Sequence, residues 1–116
     1  MLARLFSVAA AIRDKYAMKN LTDKSIFFLV RDAGLARNQY EFSRLCGRNP
    51  TWFSCIAARE LEMSITALGL LLANISMRAG TTSDATRKAM LNDLHAQLAM
   101  ELSARCRERA TASARS

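Results

Sequence analysis

Apolar residues recur along this chain three and four positions apart, the period of one helical face, and nowhere alternate in the two-residue period of a strand. Leu2, Leu5, Phe6, Ala9, Ile12 and Tyr16 trace a first stripe, on a helix that ends near Asn20. Thr22 or Asp23 opens a second helix, whose Ile26, Phe27, Val30 and Ala33 face inward until Gly34 breaks it. Two short helices follow at roughly 38–46 and 50–59, and Glu60 to Met63 form a loop. Ser64 then caps a strongly apolar helix with Leu68, Leu71, Leu72 and Ile75 as core positions, and Gly80 ends it. Beyond a linker from Gly80 to Ser83, Ser83 and Asp84 open a long helix running to about Arg109. On it Leu91, Leu94, Leu98, Leu102 and Cys106 recur close to a coiled-coil seam. That stripe is either a contact between two copies or a face folded back on the rest of the chain. The small, polar stretch from Ala110 to Ser116 is expected to fray. The pattern predicts an all-α protein of about six helices, with a main domain over residues 1–80 and, over 81–116, a C-terminal helix that could dimerise it.

Composition agrees with helix. One proline and four glycines in 116 residues leave few breakers, and 51% hydrophobic residues suffice for a core in one small domain. The apolar runs at the N-terminus and from Ile65 to Ile75 are too short to span a bilayer, so no membrane is expected. The net charge of +7 is spread along the chain rather than gathered in a basic arm, and it points to polyanionic partners. Cys46, Cys55 and Cys106 are odd in number and widely spaced, which reads as reduced thiols in a cytoplasmic protein. His95 stands alone, no glycine-rich phosphate loop or nucleophile–base set is present, and Glu60 and Glu62 lie in a polar loop. Neither an enzyme nor a bound metal or other cofactor is expected.

The densest information lies between Asn38 and Ile56. Asn38 can cap one short helix, with Glu41 three residues on as its reciprocal partner. Phe42, Leu45 and Cys46 make its apolar stripe, and Gly47 can take the left-handed conformation that ends it. Asn49 then caps the next helix, with Pro50 at its first position and Phe53, Ile56 and Ala57 turned inward. Two helices around so short a turn, in a basic chain, form a layout that can present a helix to a DNA groove.

The run Asn38-Gln39-x-Glu41-Phe42-Ser43-x-x-Cys46-Gly47 resembles the helix-turn-helix of Cro and phage repressors, the XRE type, and Ser64-x-x-Ala67-Leu68-x-x-Leu71-Leu72-Ala73 resembles the packing helix that follows it there. The similarity covers residues 24–78. It implies a lambda-repressor-like core and a small bacterial or phage regulator that binds double-stranded DNA as a homodimer. The helix from Pro50 to Arg59 would then read bases, with Thr51, Trp52, Ser54 and Cys55 on its leading face. Gln39 would match the family glutamine that braces a phosphate contact, and Arg44, Arg48 and Arg59 would meet the backbone. The chain departs from the family in lacking an Arg, Lys, Asn or Gln on the leading face, and in carrying Ala57 where a carboxylate is frequent. The same scaffold would alternatively serve an adaptor or anti-activator that binds another protein through Trp52, Phe53 and the last helix.

Overall fold

The structure, a computed structural model, describes residues 21–115, so the stripe from Leu2 to Tyr16 lies outside the described residues. Within them the protein is all-helical: α1 (Asp23–Asp32), α2 (Gln39–Leu45), α3 (Trp52–Ala58), α4 (Ile65–Thr81) and α5 (Ala85–Arg115). Each matches a helix expected from the periodicity.

The ends of the helices are written in local chemistry. Thr22 caps α1, its Oγ1 accepting from the Ser25 N–H at 3.1 Å, and Ile26, Phe27, Leu29 and Val30 are buried along its inner face. At its end Gly34 takes φ +78°, the Gly34 N–H donates to Arg31 O and the Leu35 N–H to Val30 O, a paired closure that satisfies otherwise orphaned carbonyls. Ser64 caps α4 by accepting from the Ala67 N–H at 3.1 Å, and Leu68, Leu71, Leu72 and Ile75 line its buried side. Gly80 does not end this helix. It lacks a positive φ, and the chain leaves helical geometry only at Thr82, which is extended at φ −80°, ψ 137°. Asp84, rather than Ser83, caps α5, its Oδ1 accepting from the Thr86 N–H at 3.0 Å. The last helix also runs to Arg115, past the expected stop near Arg109, because Ala110, Ala112 and Ala114 are strong helix formers.

The core joins all five helices. Phe27 of α1, Phe42 of α2 and Phe53 of α3 form a triangle of rings with centroids 4.8 to 5.5 Å apart. The two edge-to-face pairs among them, Phe27–Phe42 and Phe42–Phe53, contribute about 1 kcal/mol each beyond the area they bury. Leu91, Leu94 and Leu98 of α5 are buried in the same cluster as Leu68, Leu71 and Ile75 of α4. The folded-back arrangement is therefore the one present, and these leucines are not available to a second copy.

Leu102 packs half-buried against the core as the stripe expects, whereas Cys106 is exposed, and beside Leu102 the inward side of α5 is taken by the charged pair Glu101 and Arg105. Arg105 donates from Nη1 to Asp23 Oδ1 at 2.9 Å, from Nη2 to Leu21 O at 2.9 Å and from Nε to Glu101 Oε2 at 3.3 Å. The carboxylates are occupied on their other sides, Glu101 Oε1 by the Leu21 N–H at 2.9 Å and Asp23 Oδ2 by the Met63 N–H at 2.8 Å. Burial opposes the charge on Arg105, but the hydrogen bonds and attraction from Asp23 and Glu101 outweigh it, and its pKa is raised. This clasp fastens α5 to the start of α1 and to the loop before α4.

Candidate nucleic-acid interface

The corner between α2 and α3 is built as a unit. Asn38 Oδ1 accepts from the Glu41 N–H at 3.0 Å, as a cap should. Glu41 reaches back one residue further than a capping box requires, to the Arg37 N–H at 2.7 Å, and pairs with the Arg37 guanidinium at 2.8 Å. These hydrogen bonds, side chain first and backbone second, hold the Glu41 carboxyl below its ordinary pKa. At the other end Gly47 has φ +72°, the Gly47 N–H donates to Arg44 O, and the Arg48 N–H donates to Ser43 O. A Cβ at Gly47 would stand 2.6 Å from Leu70 Cδ1, so the turn lies close against α4.

Three side chains lock this corner to its surroundings. The fully buried Ser43 donates its Oγ–H to Gln39 O at 2.9 Å and accepts the Phe53 N–H at 3.1 Å, which links α2 directly to the first turn of α3. Asn74 of α4 donates from Nδ2 to Leu45 O at 2.8 Å, satisfying a terminal carbonyl of α2. Arg48 donates from Nη2 to Ser64 Oγ at 3.2 Å while its guanidinium lies 6.0 Å from the centre of the Trp52 ring.

The helix α3 begins at Trp52, two residues later than expected at Pro50, and its N-cap is Thr51, which makes no side-chain capping bond, so the expected cap is displaced and what braces the turn before the helix is Asn49. Its Oδ1 accepts from the Thr51 N–H at 3.2 Å and from the Thr51 hydroxyl at 3.0 Å, with Pro50 in the turn between. Of the inward residues, Phe53 is buried and Ile56 half-buried, whereas Ala57 is exposed. Phe53 therefore cannot meet a protein partner. Trp52 is half-buried and packs on the core with its ring 6.3 Å from that of Phe53. Thr51, Ser54, Cys55 and Arg59 are all exposed and share the outer side of α3. Gln39 and Arg44 are exposed on α2, and Arg48 is exposed at the turn.

The hydroxyls on this face have a defined polarity. Thr51 spends its proton on Asn49, and Ser54 donates to Thr51 O at 3.0 Å. Each oxygen keeps acceptor lone pairs, so the face offers acceptors to a ligand, and in a major groove the matching donors are the amino groups of adenine and cytosine. The thiols differ in the same way that their exposure does. Cys55 and Cys106 are exposed, while burial, and then the negative charge of Asp23, pushes the Cys46 thiol up to about 12 against the opposing pull of Arg48.

Two features escape the sequence pattern. One is the clasp, whose signal was the pair Glu101 and Arg105 continuing the spacing of Leu94 and Leu98. The other is Tyr40, 57% exposed, which with Asn38, Glu41, Arg44 and Pro50 lines a concavity of about 420 Å³ on the α2 side of the corner. Among the described residues no three His, Cys, Asp or Glu side chains converge as a metal site requires, and no helix is long and apolar enough to cross a membrane.

Fold and corner together define an all-helical domain that holds two short helices, joined by a tight turn, against a longer helical hairpin. By sequence the chain belongs to a family of unknown function, DUF6626, whose model matches residues 24–116 and so spans the chain from α1 through α5. No curated protein and no solved structure matches it.

Proposed function

We propose that the protein is a small DNA-binding regulator that lays the outer side of α3 in a major groove, with Arg44 and Arg59 on the flanking phosphates. One observation carries this reading. The helix α3 commits a single narrow stripe, Phe53 with Trp52 and Ile56, to the core, while Ser43, Gly47 and Asn74 fix the corner that holds its other side in solvent. A short helix held rigidly and left bare on one side is what groove docking needs. The net charge of +7 supplies attraction for a polyanion, and the resemblance of Asn38–Gly47 to the phage-repressor turn adds support. A helix of 7 residues reads few bases, so useful affinity requires two copies on two half-sites, and the protein acts as a cytoplasmic homodimer.

Fluorescence anisotropy of labelled duplexes across a salt series tests this. Replacing Arg44 and Arg59 together by alanine is expected to weaken binding to every sequence and to lower the slope of log K against log salt by about 2 for each bound protomer. Thr51→Ala and Ser54→Ala are expected instead to change the ranking of sequences. An affinity and slope left unmoved by the arginine pair overturn the docking.

A further inference from the structure

The outward side of α4 brings no charge to the surface. From Met63 to Met77 the chain holds no Asp, Glu, Lys or Arg, although 23% of the protein is charged. The inner side of the helix is buried along Ala67, Leu68, Leu71, Leu72 and Ile75, whereas Thr66, Leu70, Ala73, Met77 and Gly80 are exposed. These five recur at alternating steps of four and three positions, the spacing of a helix-pairing seam. At about 100° per residue, Thr66, Leu70, Ala73 and Met77 fall within about 60° of one another and form one line along the helix. Leu70, 42% exposed, and Met77, 66% exposed, thus belong to a continuous face and do not stand singly. The glycines of α4 are a second observation. Gly69 and Gly80 flank this line, and a glycine within a helix costs up to about 1 kcal/mol against alanine. Neither takes a positive φ, and a Cβ at either would meet nothing within 4 Å among the described residues. What they leave is room for another backbone to approach from outside.

We infer that this line on α4 is the face through which two copies of the chain pair, antiparallel, about a two-fold axis between Leu70 and Ala73. The inference rests on the DNA reading for its use, since two half-sites need two copies, but the pairing itself needs no DNA. The order of side-chain sizes is self-complementary. With the axis there, Leu70 of one copy meets Ala73 of the other and Met77 meets Thr66, large against small at each level, and the symmetry makes every contact twice. Charge selects the same occupant, because two chains of +7 repel wherever their charged surfaces meet and this face adds nothing to that repulsion. A helical contact about 21 Å long and about 15 Å wide removes about 300 Å² from each copy. That is below the roughly 800 Å² per partner of a stable complex, so the pair is weak and reversible in solution and is completed on DNA, where two half-sites hold both copies. The corner is fixed to the same helix through Gly47 against Leu70 and Asn74 on Leu45 O, so pairing sets the separation of the two α3 helices.

Sedimentation of the full chain without DNA, from about 10 µM to about 1 mM, tests the pairing. A monomer–dimer equilibrium is expected, and added salt should tighten it by screening the repulsion between copies, opposite to its effect on DNA binding. Met77→Glu is expected to raise the dimer Kd at least about tenfold while leaving thermal stability unchanged, since Met77 is exposed. Adding Thr66→Lys to it is expected to recover much of the affinity. In the antiparallel register the new carboxylate and ammonium meet between copies, whereas within one chain they stand about 16 Å apart along α4. A chain that stays monomeric at every concentration overturns the inference and leaves the face to a different protein. A dimer indifferent to Met77→Glu, or one that salt dissociates, overturns the assignment to this face, and disruption without rescue overturns the antiparallel register. The two readings fail separately. Salt-dependent duplex binding by a chain that never pairs sinks the pairing alone, and a dimer that binds no duplex sinks the docking of α3 alone.

Discussion

Removing Arg105 should loosen the whole domain, and the structure says by how much. Its side chain is 13% exposed and bridges Asp23, 17% exposed, and Glu101, 4% exposed. Arg105→Met keeps much of the aliphatic volume but leaves two carboxylates close together without their shared cation. Breaking a buried pair by deleting one partner costs about 3–5 kcal/mol. The remaining bonds from the Met63 and Leu21 N–H groups keep each carboxylate partly satisfied, and both ends have some access to water, so about 2–4 kcal/mol is expected here. That is a large share of the stability of a small domain. Urea unfolding followed by far-ultraviolet circular dichroism measures it, and a cycle with Asp23→Asn isolates the pair, with an expected coupling above about 1 kcal/mol. The coupling should change little with salt, since a buried pair is poorly screened. A cost under about 0.5 kcal/mol with additive single effects would refute the clasp as the fastening of α5.

Four further outcomes follow from the corner and its core. Ser43→Ala deprives the buried Phe53 N–H of its acceptor and should cost about 1–3 kcal/mol in the same unfolding assay, whereas a neutral result would mean that Ser43 does not couple α2 to α3. Glu60 ends α3 at φ +55°, where Glu60 N–H donates to Ala57 O and Leu61 N–H to Ile56 O, a closure made elsewhere in the chain by Gly34 and Gly47. Glu60→Gly should therefore stabilise by about 0.5–1 kcal/mol, and destabilisation would contradict the strain. The Cys46 thiol ionises near pH 9 when the chain is unfolded and only near 12 when folded, so the unfolded state gains negative charge first. Its contribution is complete below about pH 9 and drains away as pH climbs from there towards 12, so Cys46→Ala should flatten that alkaline loss, and an equal loss in both proteins would contradict it. At neutral pH a thiol reagent should label Cys55 and Cys106 and spare Cys46.

The architecture was legible wherever local chemistry decides it. Caps at Asn38 and Ser64, the stop at Gly34 and the left-handed turn at Gly47 each depend on residues within a few positions, and periodicity placed Phe42, Phe53, Leu68, Leu71 and Ile75 inside. What the sequence hid depends on residues far apart in the chain. Charged side chains at Glu101 and Arg105 read as the end of an apolar stripe, and only their meeting with Asp23, some eighty positions away, makes them interior. Gly80 misled for a related reason, because a glycine ends a helix only where the chain needs a positive φ, and composition does not say where that is. The contacts of the exposed Arg48 with Ser64 Oγ and the Trp52 ring, the first reaching sixteen positions along the chain, were likewise not visible in the sequence. The exposed face of α3 was visible from its spacing, whereas the direction in which Thr51 and Ser54 spend their protons was not.

The most direct test of the α3 surface is an amide-resolved NMR titration of the labelled protein with a short duplex at low salt. The amides from Thr51 to Arg59 are expected to shift together with that of Arg44, while those around Leu68, Leu71 and Ile75 in the core stay in place. Shifts confined to the outer side of α4 around Leu70 and Met77, or none at duplex concentrations far above the protein, would contradict a role for α3 in DNA binding.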